Sequence, residues 1–198
     1  ALEDAMGHYY DVIVNHLQAH NNDQVPGDAL EIGALFGEGT KVLSAYLSQT
    51  PGKTLYVLDV FNLQFDDTQT ENGVVMSKLY NGWLRDRKFK SQAQAFAFNT
   101  QGLRNIQTII CDSKQAVLPT ERLSFSFIDG NHSPDYVEND FNLVWDKTSS
   151  GGVVAFHDYQ GDLPDVTRKI DELVQSKSHE VSKFHVPGKY WLCFVHKR

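Results

Sequence analysis

Cysteine is scarce: Cys111 and Cys193 are the only two in 198 residues, and each falls inside a strand-like apolar run. Such a pair reads as buried free thiols rather than as a disulfide or a thiolate metal site. No apolar run approaches the roughly 18 residues of a membrane span, and the first residues show no signal-peptide core, so the expectation is a cytoplasmic protein with no membrane partner. An excess of basic residues is also missing. With a net charge of −7, a nucleic-acid partner is not expected, because phosphate backbones select basic surfaces. Internal repeats and biased segments are absent as well. What remains is an ordinary globular composition, 41% apolar and 22% charged, long enough to bury a sizeable core in one domain spanning residues 1–198.

Hydrophobic spacing organises the chain. Met6, Tyr9, Tyr10, Ile13, Val14 and Leu17 recur at helical intervals, which predicts one helix within an N-terminal segment of residues 1–26. Strands are predicted over 29–32, 54–60, 105–111, 123–128, 153–156, 180–186 and 190–196. Helices are predicted over 41–47, 76–89, 91–103, 114–118, 136–145 and 166–174. The polar stretch 62–75 reads as a mobile surface loop. Alternating strands and helices of this length predict an α/β fold, a Rossmann-like three-layer sandwich with helices on both faces of a mostly parallel sheet. Pro187-Gly188 joins the last two strands, so the seven-stranded sheet should end in an antiparallel hairpin.

Chemistry concentrates first at Leu30-Glu-Ile-Gly-Ala-Leu-Phe-Gly-Glu-Gly-Thr40, where a strand feeds a helix through glycines. Such a turn brings bare backbone N–H groups to a ligand. The next apolar run ends in Asp59, placed to accept hydrogen bonds from a ribose diol. The ligand is therefore a nucleoside. A nicotinamide dinucleotide calls for Gly-x-Gly-x-x-Gly, whereas Gly33, Gly37 and Gly39 are spaced Gly-x-x-x-Gly-x-Gly, with no basic residue in the turn to hold a diphosphate and with acids at Glu31 and Glu38. S-adenosyl-L-methionine, cationic and free of phosphate, fits these constraints.

The segment Leu30 to Gly37 resembles motif I of class I methyltransferases, and is most similar to the catechol and caffeoyl-CoA O-methyltransferase branch. The resemblance covers about Gly27 to Val195 and implies the seven-stranded fold read above. It also implies that Glu31, Gly33, Ala34, Gly37, Gly39 and Thr40 surround the cofactor, with Asp59 on the ribose and Asp112 and Ser113 at the adenine.

Two further strand ends carry Phe127-Ile-Asp-Gly-Asn-His-Ser133 and Gly152-Val-Val-Ala-Phe-His-Asp158. In a doubly wound sheet, carboxyl ends of neighbouring strands line one crevice, so Asp129, His132, His157 and Asp158 should converge. Carboxylate and imidazole at one edge suit a divalent cation. The resemblance implies a magnesium site, with Asp129 and Asp158 on the first and last ligand positions. His157 occupies the middle position, where the family usually has a carboxylate, and imidazole favours Mn, Fe or Zn over Mg. The expected metal ligands are thus Asp129, His157 and Asp158, with two alternatives: His157 points elsewhere and only the two carboxylates remain, or the two histidines are the functional pair without metal, as the resemblance of His-Asp after a Gly-Gly strand to other small class I methyltransferases implies. His132 stands where the family has a Lys that takes the hydroxyl proton, and its ordinary pKa near 6.5 suits a general base. Asp129, His132 and His157 are accordingly the expected catalytic residues, with a small hydroxylated molecule as acceptor. The short N-terminal segment leaves the acceptor site open, completed by residues 62–90, or closed by a second copy in a homodimer. Three rival readings are a non-catalytic S-adenosylmethionine-binding protein, a nicotinamide oxidoreductase and a metal-dependent hydrolase built on the histidine–aspartate cluster.

Overall fold

The computed structural model describes the backbone from Leu2 and the side chains from His8 onward; the apolar position expected at Met6 lies outside the described side chains. Among the described residues there are seven strands and six α-helices. They run α1 (Leu2–Ala19), β1 (Asp28–Ile32), α2 (Glu38–Leu47), β2 (Leu55–Asp59), α3 (Met76–Asp86), α4 (Gln92–Asn99), β3 (Ile106–Ile110), β4 (Leu123–Ile128), α5 (Pro134–Trp145), β5 (Thr148–Phe156), α6 (Pro164–Ser176), β6 (Val181–His185) and β7 (Cys193–Lys197). The strand order is β3-β2-β1-β4-β5-β7-β6. The first five strands are parallel, and β7 runs antiparallel to both β5 and β6. The Rossmann-like sandwich with an antiparallel C-terminal pair is therefore the fold.

Period-two alternation explains why the central strands carry apolar residues on both faces, with Glu31, Ser124 and Ser126 as buried polar positions among them. Leu30, Ile32, Ile128, Val154 and Phe156 face α5 and α6, where they meet Phe141, Trp145 and Ile170. Their neighbours Ala29, Phe125, Phe127, Val153 and Ala155 face α1 and α2, where they meet Ile13, Leu17, Leu43 and Leu47. A strand covered on both sides has no solvent face to keep polar. Because the chain works outward from β1 to β3 and then returns to β4 beside β1, the connections leaving β1 and β4 diverge. That divergence opens a crevice at the carboxyl ends of the strands.

Three local expectations change. Residues 114–118 do not form an α-helix; only a single 3-10 turn, Ser113–Gln115, is present, with the Asp112 carboxylate accepting from Lys114 N at 2.9 Å. Val117 is 86% exposed, so no apolar face holds a longer helix against the sheet. Strand β5 starts at Thr148 rather than Val153, because Leu123 pairs with Thr148 and Phe125 with Val153. The extra residues, Gly151 and Gly152 among them, bulge out of the ladder. Segment 62–75 folds onto the crevice instead of standing in solvent. Asp66 and Thr70 are buried, Gln69 bridges to Val75, and Glu71 N donates to Asp162 O at 2.9 Å.

Candidate active site

A cavity of about 400 Å³ opens at the switch between β1 and β4. Gly33, Ala34 and Gly39 line it from the turn after β1, Asp59 from the end of β2, Ser113 from the segment after β3, Asp129 from the end of β4 and Asp158 from the end of β5. Gly33 has φ +83°, and a Cβ there would overlap the Asp129 carbonyl, so glycine lets the ends of β1 and β4 approach. Asp59 braces the same turn. Its Oδ2 accepts from Ala34 N at 2.9 Å, and its Oδ1 from Phe61 N at 2.7 Å and Gln92 Nε2 at 3.2 Å.

Other expected turn residues stand behind this wall. Glu31 is fully buried outside the cavity, accepting from Tyr10 Oη at 2.7 Å and Thr40 Oγ1 at 2.6 Å. Burial pushes its carboxyl up to about 7, against the pull of those two hydrogen bonds. Thr40 is thus engaged with Glu31, and Gly37, at φ +81°, caps α2. Neither Thr40 nor Gly37 reaches the cavity. Tyr10 does, and its ring lies so close on Gly39 that a Cβ there would overlap it. Asp112 is committed to Lys114 N and to the Tyr136 hydroxyl, which donates at 2.8 Å.

At the other end, four side chains lock together. His132 is buried, with Nδ1 2.5 Å from Asp66 Oδ2 and Nε2 2.6 Å from Asp158 Oδ2 and 3.5 Å from Asp129 Oδ1. One donor atom each from Asp129, His132 and Asp158 lies within 4.8 Å of the other two. The expected third donor, His157, is not in that group. Its Nδ1 is 3.1 Å from Asp158 and 3.6 Å from Asp129, and its ring stacks on Tyr9 with centroids 4.5 Å apart. Tyr9 in turn donates its hydroxyl to Asp129 Oδ2 at 3.3 Å. Asp158 takes up this position with φ +62°, a left-handed backbone that aspartate tolerates better than most residues.

The electrostatics revise the role read for His132. Burial pulls it down, but Tyr80, Asp158 and Asp129 outweigh burial and hold it well above an ordinary histidine. Tyr80 is itself raised by burial and neutral at pH 7, so the carboxylates carry the effect. His157 behaves alike: burial lowers it, yet Asp158 and Asp129 push it up to about 10. Burial raises Asp158, and the two imidazoles more than offset this, holding it well below the carboxylate range. In this geometry the shared acids hold both imidazoles above an ordinary histidine. His132 is then a donor between two acids, not a free base with pKa 6.5.

Sequence reasoning passed over several residues of the wall. Tyr9 and Tyr10 look like core positions of a helix, and Asp66 looks like part of a solvated loop. Gln92 and Asp140, on α4 and α5, belong to the wall, and each keeps one buried oxygen (Oε1 and Oδ2) without a protein partner. Burial raises Asp140 to about 6. Of the segment 62–90, Leu63, Phe65, Met76, Tyr80 and Trp83 line the cavity, opposite Trp191 from the C-terminal hairpin.

Residues 30–159 match a family described as a methyltransferase domain. The chain belongs to that methyltransferase family. The matched span runs from β1 to just past Asp158, so it contains every strand end that meets the cavity. Among solved structures, this methyltransferase is similar in fold to the O-methyltransferase NovP, with TM-score 0.69 and 16% identity over 96% of this chain and 78% of that one. It also resembles a caffeoyl-CoA O-methyltransferase-like protein from Staphylococcus aureus, with TM-score 0.58 and 14% identity over 96% and 83% of the two chains. A curated relative, Uncharacterized protein R132 of Acanthamoeba polyphaga mimivirus, is 38% identical over 69 residues, 32% of this chain and 31% of the relative. That match spans about a third of the relative's length. No described helix is long and apolar enough to cross a membrane.

Proposed function

We propose that the protein is an S-adenosyl-L-methionine-dependent O-methyltransferase acting on a small hydroxylated molecule, with a divalent cation held by Asp129, His132 and Asp158. The charge of the cavity carries this reading. Glu38, Asp59, Asp66, Asp129, Asp140, Asp158 and Asp162 line it, and no Lys or Arg does among the described residues. Seven carboxylates, offset only by Arg87 on Glu38 and by the His132 and His157 imidazoles, disfavour a dinucleotide's diphosphate and favour a sulfonium donor and a metal ion. The oxygens left without partners on Gln92 and Asp140 suit adenosine, which brings hydroxyl and amine donors. The mixed nitrogen and oxygen donor set suits Mn, Fe or Zn better than Mg. The ion would take the place of the proton on His132 Nε2, while Asp66 behind Nδ1 fixes the ring as a carboxylate does behind a metal-ligating imidazole.

A bound cation would lower the pKa of an acceptor hydroxyl and orient its oxygen. The chain supplies the rest by positioning. Asp59 holds the turn and accepts from the ribose, His132 aims Nε2 between Asp129 and Asp158, and Tyr9 stacks beneath His157. Phe65, Tyr80, Trp83 and Trp191 exclude water from the acceptor side.

Calorimetry with S-adenosylhomocysteine tests the donor half. Tight binding is expected, and Asp59→Ala should weaken it about 100-fold, because the ribose acceptor and the brace on Ala34 and Phe61 go together. Turnover at saturating donor should change only a few-fold. Label transfer from methyl-tritiated donor to phenolic and sugar hydroxyls, with Mn, Fe, Zn or Mg present, tests the acceptor half. Binding of NADH in place of the homocysteine compound sinks the reading, and donor binding without transfer to any acceptor points to the non-catalytic alternative.

A further inference from the structure

A second group of side chains stands apart from the cavity. His16 and His20 lie one turn apart on α1, and His196 faces them from β7; one ring nitrogen from each lies within 4.8 Å of the others. An i, i+4 histidine pair places two imidazoles on one helix face, the spacing that metal-binding helices use. From Tyr9 to His16 is seven residues, about 10 Å along the helix axis, so this cluster does not share the crevice.

The hydrogen bonds leave lone pairs free for a ligand. His16 Nε2 and His196 Nε2 are 2.7 Å apart, a distance at which one proton serves two nitrogens, so at least one of these rings presents a bare lone pair. His20 Nδ1 bonds the His16 carbonyl at 2.8 Å, which makes Nδ1 the donor and turns Nε2 outward as an acceptor. A backbone carbonyl behind one ring nitrogen is the usual support of a metal-ligating histidine. Nε2 of His20 is met instead by Lys183 Nζ at 3.0 Å, a cation occupying the position that a metal would take. His16 and His196 are buried and His20 is half-buried, so the group has a protected interior and one open side. His185 on β6 stacks on His16 with centroids 5.2 Å apart and walls the cluster.

We propose that His16, His20 and His196 form a three-histidine site for Zn²⁺ or a similar transition-metal ion, which fastens α1 to the C-terminal hairpin. Three neutral nitrogens match the preference of zinc, with a fourth position open to water. Lys183 is the gatekeeper, since its ammonium must swing away before the ion enters.

The test is Zn²⁺ titration of the full chain after chelator treatment, in an Asp129→Asn/Asp158→Asn background that disables the carboxylate cluster of the cavity. One equivalent is expected to bind. His20→Gln should weaken it at least tenfold, and Lys183→Gln should tighten it several-fold, because the competing charge is gone. Co²⁺ in place of Zn²⁺ should give the visible absorption of a four-coordinate site, lost in His20→Gln. No binding in the background protein overturns the proposal, as do affinities that stay within twofold in both variants. If the double variant does not fold, Lys183→Gln in the otherwise native chain decides by itself: one Zn²⁺ affinity tightens, or none does.

Discussion

His132→Ala lowers turnover about 10³-fold while leaving S-adenosylhomocysteine affinity within about threefold. The magnitude follows from what one ring does: its two nitrogens join Asp66 at 2.5 Å to Asp158 at 2.6 Å, so removing it unlinks the loop that walls the acceptor side from the acids at the strand ends. The donor side is held by Asp59, Gly33 and Ala34, none of which bonds to His132, so cofactor binding has little reason to change. Single-turnover transfer and calorimetry on the same preparation separate the two effects. A collapse of donor affinity with turnover of the bound enzyme preserved would place His132 in the cofactor site and remove it from the chemistry. The variant should also lose stability, since it leaves two buried carboxylates without their shared cation, and such breaks commonly cost about 3–5 kcal/mol. Thermal unfolding therefore belongs beside the kinetics, at a temperature where both proteins are folded.

A large pH effect on stability is assigned to Glu31. Its carboxyl is raised from 4.5 to about 7 by burial. A carboxyl whose folded pKa exceeds its unfolded value stabilises fully below the unfolded pKa, and this contribution is lost as pH rises through the folded pKa. The window therefore runs from about pH 4.5 to just above 7, and the gap between those two values corresponds to about 3 kcal/mol. Glu31→Gln keeps the shape and an oxygen for Tyr10 or Thr40 but cannot ionise. Urea unfolding at pH 5 and pH 8 should show the wild type losing about 3 kcal/mol more than the variant, which becomes the more stable protein at the higher pH. Parallel profiles for the two proteins would exclude a buried ionisation at this position. Comparing the pair cancels the other titrating groups, Asp158 and Asp66 included.

Fold and site differ in how far they could be read from the chain. Strand–turn–helix units are local, so the turn at Gly33 and the acid at Asp59 were visible as patterns, and sheet topology then places Asp129 and Asp158 on one edge. Contacts made across long separations leave no such pattern. Asp66 meets His132 across 66 residues and Tyr9 meets Asp129 across 120, and in the sequence the one looks like a solvated loop acid and the other like a helix-core aromatic. Protonation was illegible for the same reason, because a histidine's pKa depends on which acids fold against it. His157 is adjacent to Asp158 in sequence and His132 stands three residues after Asp129, yet their sharing of one carboxylate oxygen of Asp158 appears only in three dimensions. The short turn at 113–115 failed as a helix because a helical spacing of apolar residues needs a surface to bury them, and at Val117 there is none.

Tyr9 and Trp191 are far apart in the sequence and both meet the His157 ring, Tyr9 by stacking at 4.5 Å and Trp191 tilted beside it at 6.4 Å between centroids. Synthesis therefore makes the Tyr9 wall of the cavity well before the Trp191 wall. Until the hairpin arrives, the His157 ring can have Tyr9 on one side but lacks Trp191 on the other. A fragment that stops before Trp191 lacks one wall of the crevice, so a ligand that touches both walls stabilises only a fold that has both.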